Sequence, residues 1–367
     1  MAVRYVRVNP VVDLFSPVIR PTGNVAILGA ATSGTDNTPV QVVSPSAAAT
    51  AFGVPAGSAL TRALQLAFQQ SPGPAQVWGV KTGTDPAAAL TAVEELNVQF
   101  VVLANTTLVT ATAAAEGAIT KLAAHVAAVS NSGGEGRERM AVVMLPKGST
   151  DRALITGGLA SERVVYIAHK SDQDAAAAVA GTIAGYPPHV SMLLKQVAIS
   201  SAPFTSAEVD ALNGSETFSS GPAGQGVNWL TTPALIPGGG VYLGEGYTGN
   251  PAGKKYIDVV RTVDDISFRL KARLIRSVGS LRISRSGLRS LVVQLEAVLD
   301  PLVADGVIES HEIIVPILDL LDADPATLTP AQLQAVSDAQ TNRVVEVLAA
   351  VDYAGAVHRI AITLKFE

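Results

Sequence analysis

The 367 residues contain no cysteine, which excludes disulfides and thiolate metal sites and fits assembly in a reducing cytoplasm. A long apolar run is also missing. The longest candidate span, Ala175 to Tyr186, is too short for a bilayer and runs into Pro187-Pro188. Positive charge is not in excess: the net charge is −5, so no global basic field would recruit nucleic acid or an anionic membrane. Residues 1–20 carry Arg4, Arg7, Asp13 and Arg20 without a continuous apolar core, which is not the pattern of a signal peptide. What remains is a soluble chain, 48% apolar with much of that alanine, and long enough for roughly two domains.

Signatures of catalysis are equally sparse. The five histidines (His125, His169, His189, His311, His358) are scattered and lack the H-x-x-x-H spacing that puts two ligands on one helix face. No G-x-S-x-G nucleophile elbow occurs. Lys147-Gly148-Ser149-Thr150 has neither the residue order nor the upstream glycines of a phosphate loop. Asp319, Asp322 and Asp324 crowd together without the glycine and terminal glutamate of a calcium loop. Gly244-Glu245-Gly246-Tyr247-Thr248-Gly249 spells the dinucleotide fingerprint, but Asn250-Pro251-Ala252-Gly253 follows where a helix N-terminus should receive the pyrophosphate. No metal or cofactor site is expected.

Strand–helix alternation fills the first half. Asn24–Gly29, Gln76–Val80, Gln99–Leu103, Met140–Leu145 and Arg163–Ala168 read as buried strands. Ser44-Pro45 and Asp85-Pro86 are N-cap-plus-proline helix starts between them. This spacing predicts an α/β domain with a mostly parallel sheet. Glycine and proline then dominate residues 217–253, and a domain boundary is expected there.

The second region reads as α+β. Ile266, Leu270, Leu274 and Val278 predict one apolar helix stripe, and Leu288 to Leu302 a cleaner one. Thr329, Pro330 and Gln332 form a capping box, and Arg343–Asp352 reads as a strand. Charge is segregated: residues 254–289 hold ten Lys/Arg against three Asp, whereas 305–352 hold nine Asp/Glu against one Arg. Arg269, Arg273 and Arg276 share a helix face, a candidate surface for an acidic protein partner, with complementary patches that could stack copies head to tail.

Both chain ends are β-prone. Ile360, Ile362, Leu364 and Phe366 alternate with polar or small residues, and Val3, Tyr5, Val6 and Val8 form a weaker counterpart. Such ends either complete this chain's own sheet or pair with a neighbour's.

An ordered series of short motifs adds a resemblance. Asn24–Gly29, Pro39–Ser44 and Ala51-Phe52-Gly53 precede a helix at Ser58–Gln70 and the strand Val77-Trp78-Gly79-Val80. Ala176–Ile183 with Pro187-Pro188, the capped helix Thr205–Leu212, Gly240–Gly244 and Arg261-Thr262-Val263-Asp264-Asp265-Ile266 follow, and the terminal strand completes the series. Through most of its length the chain resembles the tail sheath proteins of contractile phages and related contractile injection systems. It departs from larger sheaths in leaving no room for outer decoration domains, and segment 305–330 matches no feature of the family.

The resemblance implies a mechanical function, in which copies stack around an inner tube in an extended state and compact to drive it through a target envelope. It implies a fold of an α/β outer domain at 21–225 and an α+β inner sheath domain at 226–352. An N-terminal arm at 1–20 and a C-terminal hinge and arm at 353–367 would exchange strands between subunits, with Val3, Tyr5, Val6, Val8, Ile360, Ile362, Leu364 and Phe366 as arm strands. Arg269, Arg273 and Arg276 become candidates for tube or subunit contact. The implied partners are the chain itself in stacked hexameric rings, a tail tube protein, and baseplate and tail terminator proteins. Neither direct nucleic-acid contact nor membrane insertion is implied. The expected location is the tail of a virion or injection particle assembled in the host cytoplasm. The rival readings are an α/β enzyme with a small-molecule site at the carboxyl ends of its strands, and a non-contractile shell or baseplate protein.

Overall fold

Uninterrupted apolar runs make strands that can be buried on both faces, and such runs form the centre of one sheet. A computed structural model describes residues 23–131, 136–216 and 223–358. Among these, β1 (Asn24–Gly29), β2 (Pro39–Val42), β3 (Gln76–Lys81), β4 (Phe100–Leu103), β5 (Met140–Met144), β6 (Val164–Ala168), β7 (Gln196–Val197), β8 (Val227–Thr231) and β9 (Val241–Leu243) pair in the order β2-β3-β1-β4-β5-β6-β8-β9-β7. The six strands from β3 to β8 run parallel. The remaining pairings, β2 with β3 and β9 with β8 and β7, are antiparallel and close the two edges.

Helices cover both faces: α1 (Pro45–Phe52), α2 (Ala59–Phe68), α3 (Ala87–Ala92), α4 (Thr110–Ala113), α5 (Ala118–Ser130), α6 (Ala175–Gly185) and α7 (Ser206–Asn213). Alternate β1 residues sort to opposite cores. Val25 and Ile27 pack with Phe52, Leu60 and Leu64, while Ala26 and Leu28 pack with Leu90, Leu122 and Leu212. The alanine-rich α6 is buried from Ala175 to Ala184. A Cβ on its Gly181 would lie 2.8 Å from the Ala67 carbonyl oxygen of α2, so small residues permit this close helix packing. Expected caps are present: Ser44 Oγ accepts from Ala47 N, and Thr205 and Glu208 form a capping box.

The described residues divide into two compact units, 23–265 with 355–358, and 266–354. The division falls some forty residues after the position that composition suggested. Residues 226–265 join the α/β unit because β8 pairs with β6 and β9 continues the sheet. Glycines there serve close packing rather than linkage. A Cβ on Gly244 would meet the Trp229 ring at 2.3 Å, and one on Gly249 the Tyr166 ring at 2.7 Å.

The second unit begins within α8 (Ile257–Leu274) and continues through α9 (Arg285–Ala304), β10 (Ile308–Ile314), α10 (Pro316–Asp322), α11 (Pro330–Asn342) and β11 (Leu348–Tyr353). Leu288, Leu291, Leu295, Leu299 and Leu302 form the buried stripe of α9, as their spacing predicts. The α8 stripe is shorter than expected. Ile266, Leu270 and Leu274 pack inward, but the helix stops at Leu274 and Val278 is 79% exposed. The strand expected over Arg343–Asp352 begins only at Leu348, because Arg343 takes a left-handed conformation at the end of α11.

Candidate assembly surfaces

The arm residues Val3, Tyr5, Val6, Val8, Ile360, Ile362, Leu364 and Phe366 lie outside the described residues. Arg269 and Arg273 sit half-buried on α8, and Arg276 is exposed just past its end, beside the exposed Ile275. The three arginines therefore do not form one solvated stripe. The charge segregation also closes partly upon itself: Arg289 Nη2 lies 3.1 Å from Asp322 Oδ1, and Arg285 Nε donates to the Leu321 carbonyl.

The motif from Arg261 to Asp265 holds the first half of α8 in the α/β unit. Arg163 donates to both Asp264 carboxylate oxygens at 2.5 and 2.9 Å, with both side chains largely buried. Arg261 donates to the carbonyls of Tyr186 and Pro187 at 2.8 and 3.3 Å and lies 5.4 Å from the Phe100 ring centre. A bidentate guanidinium–carboxylate pair fixes direction as well as distance. The helix that crosses into the second unit is thus clamped at its root.

In the second unit β10 and β11 form an antiparallel ribbon of their own, with His311 opposite Val351 and Ile313 opposite Ala349. Ile308, Ile313 and Val351 face the α9 residues Leu299 and Leu302, whereas Glu312, Leu348, Ala350 and Asp352 are exposed. Among the described residues neither strand has a partner on its outer edge. A two-stranded ribbon is marginal alone, and a sheet edge can in general template a further strand.

The α/β unit has the crevice that the enzyme reading needs. The strand order reverses between β1 and β4, where doubly wound folds bind ligands. A cavity of about 260 Å³ lies there, lined by Leu28, Gly29, Thr82, Leu103, Asn105 and Thr106 among others, with no titratable side chain. A neighbouring cavity of about 360 Å³ includes Arg62, Asp172 and Asp174. Each already has a structural partner. Arg62 donates to the Pro55 carbonyl, Asp172 accepts from Lys147, and Asp174 caps α6 while accepting from Asn105 N at 2.6 Å. Burial pushes the Asp174 carboxyl up from its ordinary value, opposed by these amide donors and by the nearby Arg62 charge. This arrangement organises loops and offers no base poised against a nucleophile. Among the described residues, no group of three metal-ligating side chains comes together and no helix is long and apolar enough to cross a membrane.

Two engaged charges left no signal in the sequence. Arg139 is fully buried and donates to the Val93, Glu94 and Leu96 carbonyls, each at 2.9 Å, capping the end of α3. Beside it, burial and the Arg139 charge push His125 down to about 4. Glu245, inside the fingerprint-like motif, is buried against His358.

Comparison with solved structures settles what this architecture is. The helical sheath of the anti-feeding prophage in its contracted state superposes with a TM-score of 0.67 at 14% identity, covering 100% of each chain. The fold is that of a contractile sheath subunit. The contracted sheath of PVC, an extracellular contractile injection system, gives 0.66 at 11% identity over 100% of this chain and 98% of that one. The sheath tail protein of Listeria innocua gives 0.55 at 12%, covering 83% and 90%. No family model and no curated protein sequence matches the chain. The sheath fold accounts for both units and the ribbon together, which an isolated α/β enzyme does not.

Proposed function

We propose that this chain is the repeating subunit of a contractile sheath, polymerising helically around an inner tube and shortening to drive it through a target envelope. The observation that carries this reading is the end-to-end likeness to the contracted anti-feeding prophage sheath, over 100% of both chains. A chain that shared only an α/β domain with sheaths would leave the second unit uncovered.

In this reading the second unit forms the inner layer against the tube, and the α/β unit the outer layer. The arms 1–20 and 359–367 supply strands to the ribbons of neighbouring copies. Main-chain pairing of this kind links rigid bodies while flexible connections allow them to swing. Arg276, with Arg269 and Arg273 behind it, faces the tube or the next subunit. Further copies, a tube protein, a baseplate and a terminator are its partners in a phage tail or injection particle. Solved baseplate structures of the anti-feeding prophage contain chains of this fold, which supports the baseplate as a partner.

Negative-stain electron microscopy of the purified chain, alone and co-expressed with its tube protein, tests the function. Hollow striated tubes are expected, and Arg276→Glu should reduce co-assembly with the tube most strongly at low salt. Discrete small particles under both conditions would return the α/β enzyme to consideration, and tubes of one fixed length and pitch under every condition would point to a non-contractile shell.

A further inference from the structure

The last described residue is anchored rather than trailing. His358 Nδ1 lies 2.9 Å from Glu245 Oε2, its Nε2 lies 3.0 Å from Ser191 Oγ, and its ring meets Tyr256 edge-on at 4.9 Å between centres. Ser191 Oγ also accepts from Leu193 N at 3.3 Å. The Glu245 side chain is 0% exposed and that of His358 9%. A carboxylate this far from water needs a hydrogen-bonded partner, because an unpaired buried charge is costly. Glu245 reaches its position because Gly244 and Gly246 let the backbone press against Trp229 and Met192. The glycines that imitate a nucleotide fingerprint therefore help to seat the carboxylate that meets the His358 imidazole.

The position of that imidazole in the chain gives the contact a consequence. β11 of the second unit ends at Tyr353, residues 354–357 are exposed, and residues 355–358 belong to the α/β unit. We propose that the Glu245–His358 pair moors the root of the C-terminal segment to the α/β unit, so that residues 359–367 are delivered to a neighbouring copy from that unit. His358 is a positioning residue: without it the segment would hang from the end of the ribbon strand. The longer tether alone would lower the effective concentration of the arm only modestly; the larger change is the origin and direction of the strand. The delivery step rests on the sheath reading, whereas the mooring is a property of the single chain.

The absence of cysteine makes the test direct. Spin labels at Ala356→Cys and Val54→Cys report the distance between the segment and the α/β surface by pulsed electron paramagnetic resonance. In the otherwise unchanged chain a single narrow distribution is expected. His358→Ala takes a hydrogen-bond partner from a buried carboxylate, so the decisive variant is the double change Glu245→Gln with His358→Ala. It should at least double the width of the distribution while the melting of the α/β unit stays in place. His358→Gln, which keeps a donor for Glu245, should restore most of the narrowness. An unchanged distribution in the double variant would overturn the mooring. A broadened distribution with unaltered tube yield would overturn its role in delivering the strand. If the unchanged chain forms no tubes, the sheath reading fails, and the distance measurement still decides the mooring.

Discussion

The two units bury their apolar residues in different ways. In the α/β unit a nine-stranded sheet is covered on both faces by two continuous cores, and even its α6 helix is fully buried. Among the described residues, the second unit has two small clusters around α9, a two-stranded ribbon, and a helix, α11, with no buried residue. The first has what a domain needs to fold alone. The second fits the proposed role of a component completed by neighbours, since a thin core is a liability in a free monomer. In the proposed sheath role that contrast would be useful, with one unit keeping its shape while the other makes contacts that form and shift.

The strongest test of the contrast lies at the joint. Asp264→Asn removes one partner of the buried pair with Arg163, a change that typically costs about 3–5 kcal/mol, and it should release the root of α8. The double variant Arg163→Met with Asp264→Leu should recover much of that loss in chemical denaturation. If the double variant is as damaged as the single one, the pair is not what holds the helix.

Core truncations separate the units next. Leu64→Ala and Leu299→Ala each remove a fully buried leucine, for which losses of about 2–5 kcal/mol are usual. Calorimetry should show Leu64→Ala lowering the main transition and Leu299→Ala lowering a smaller, earlier one. A single transition moved equally by both would merge the units into one cooperative body.

Acid should act mainly on the α/β unit. His125 is held near 4 in the folded chain against about 6.5 unfolded. Between those values the unfolded chain takes up a proton that the folded one refuses. Stability is therefore intact above about pH 6.5 and falls towards pH 4, by up to about 3 kcal/mol. His125→Gln should flatten that part of the pH dependence, and an unaltered slope would assign it to other groups. The smallest effect is expected at Thr329, whose side chain accepts from Gln332 N and opens α11. Thr329→Ala should cost about 1 kcal/mol, read as faster amide exchange in α11 while the α/β unit is unaffected.

How much of this was legible in the sequence depended on the kind of signal. Five of the six parallel strands (β1, β3, β4, β5 and β6) were readable within a residue at either end because burial on both faces makes them largely apolar, whereas β8, with Asn228 inside a glycine- and proline-rich stretch, was not. The caps at Ser44, Thr205 and Thr329 were readable because their chemistry is local. β10 was missed, since Glu309, Ser310 and Glu312 break any apolar pattern on a strand with an exposed face. The domain boundary was misplaced because glycines that admit Trp229 and Tyr166 look, in composition, like a linker. Arg139 and Glu245 carry no local signature, for their partners lie 43–46 and 113 residues away. Candidate contacts fared unevenly. Periodicity put Arg269, Arg273 and Arg276 on one face, but the helix ends before Arg276 and half buries the other two.

In the proposed sheath the ribbon of one copy receives the C-terminal strand of another. Single-cysteine variants, Ala350→Cys in β11 and Thr363→Cys in the arm, should be assembled as a mixture and oxidised. The expected product is a disulfide-linked heterodimer that requires both variants and disappears when assembly is blocked. A double variant that cross-links only within one chain, or a mixture that yields no heterodimer although tubes form, would contradict it.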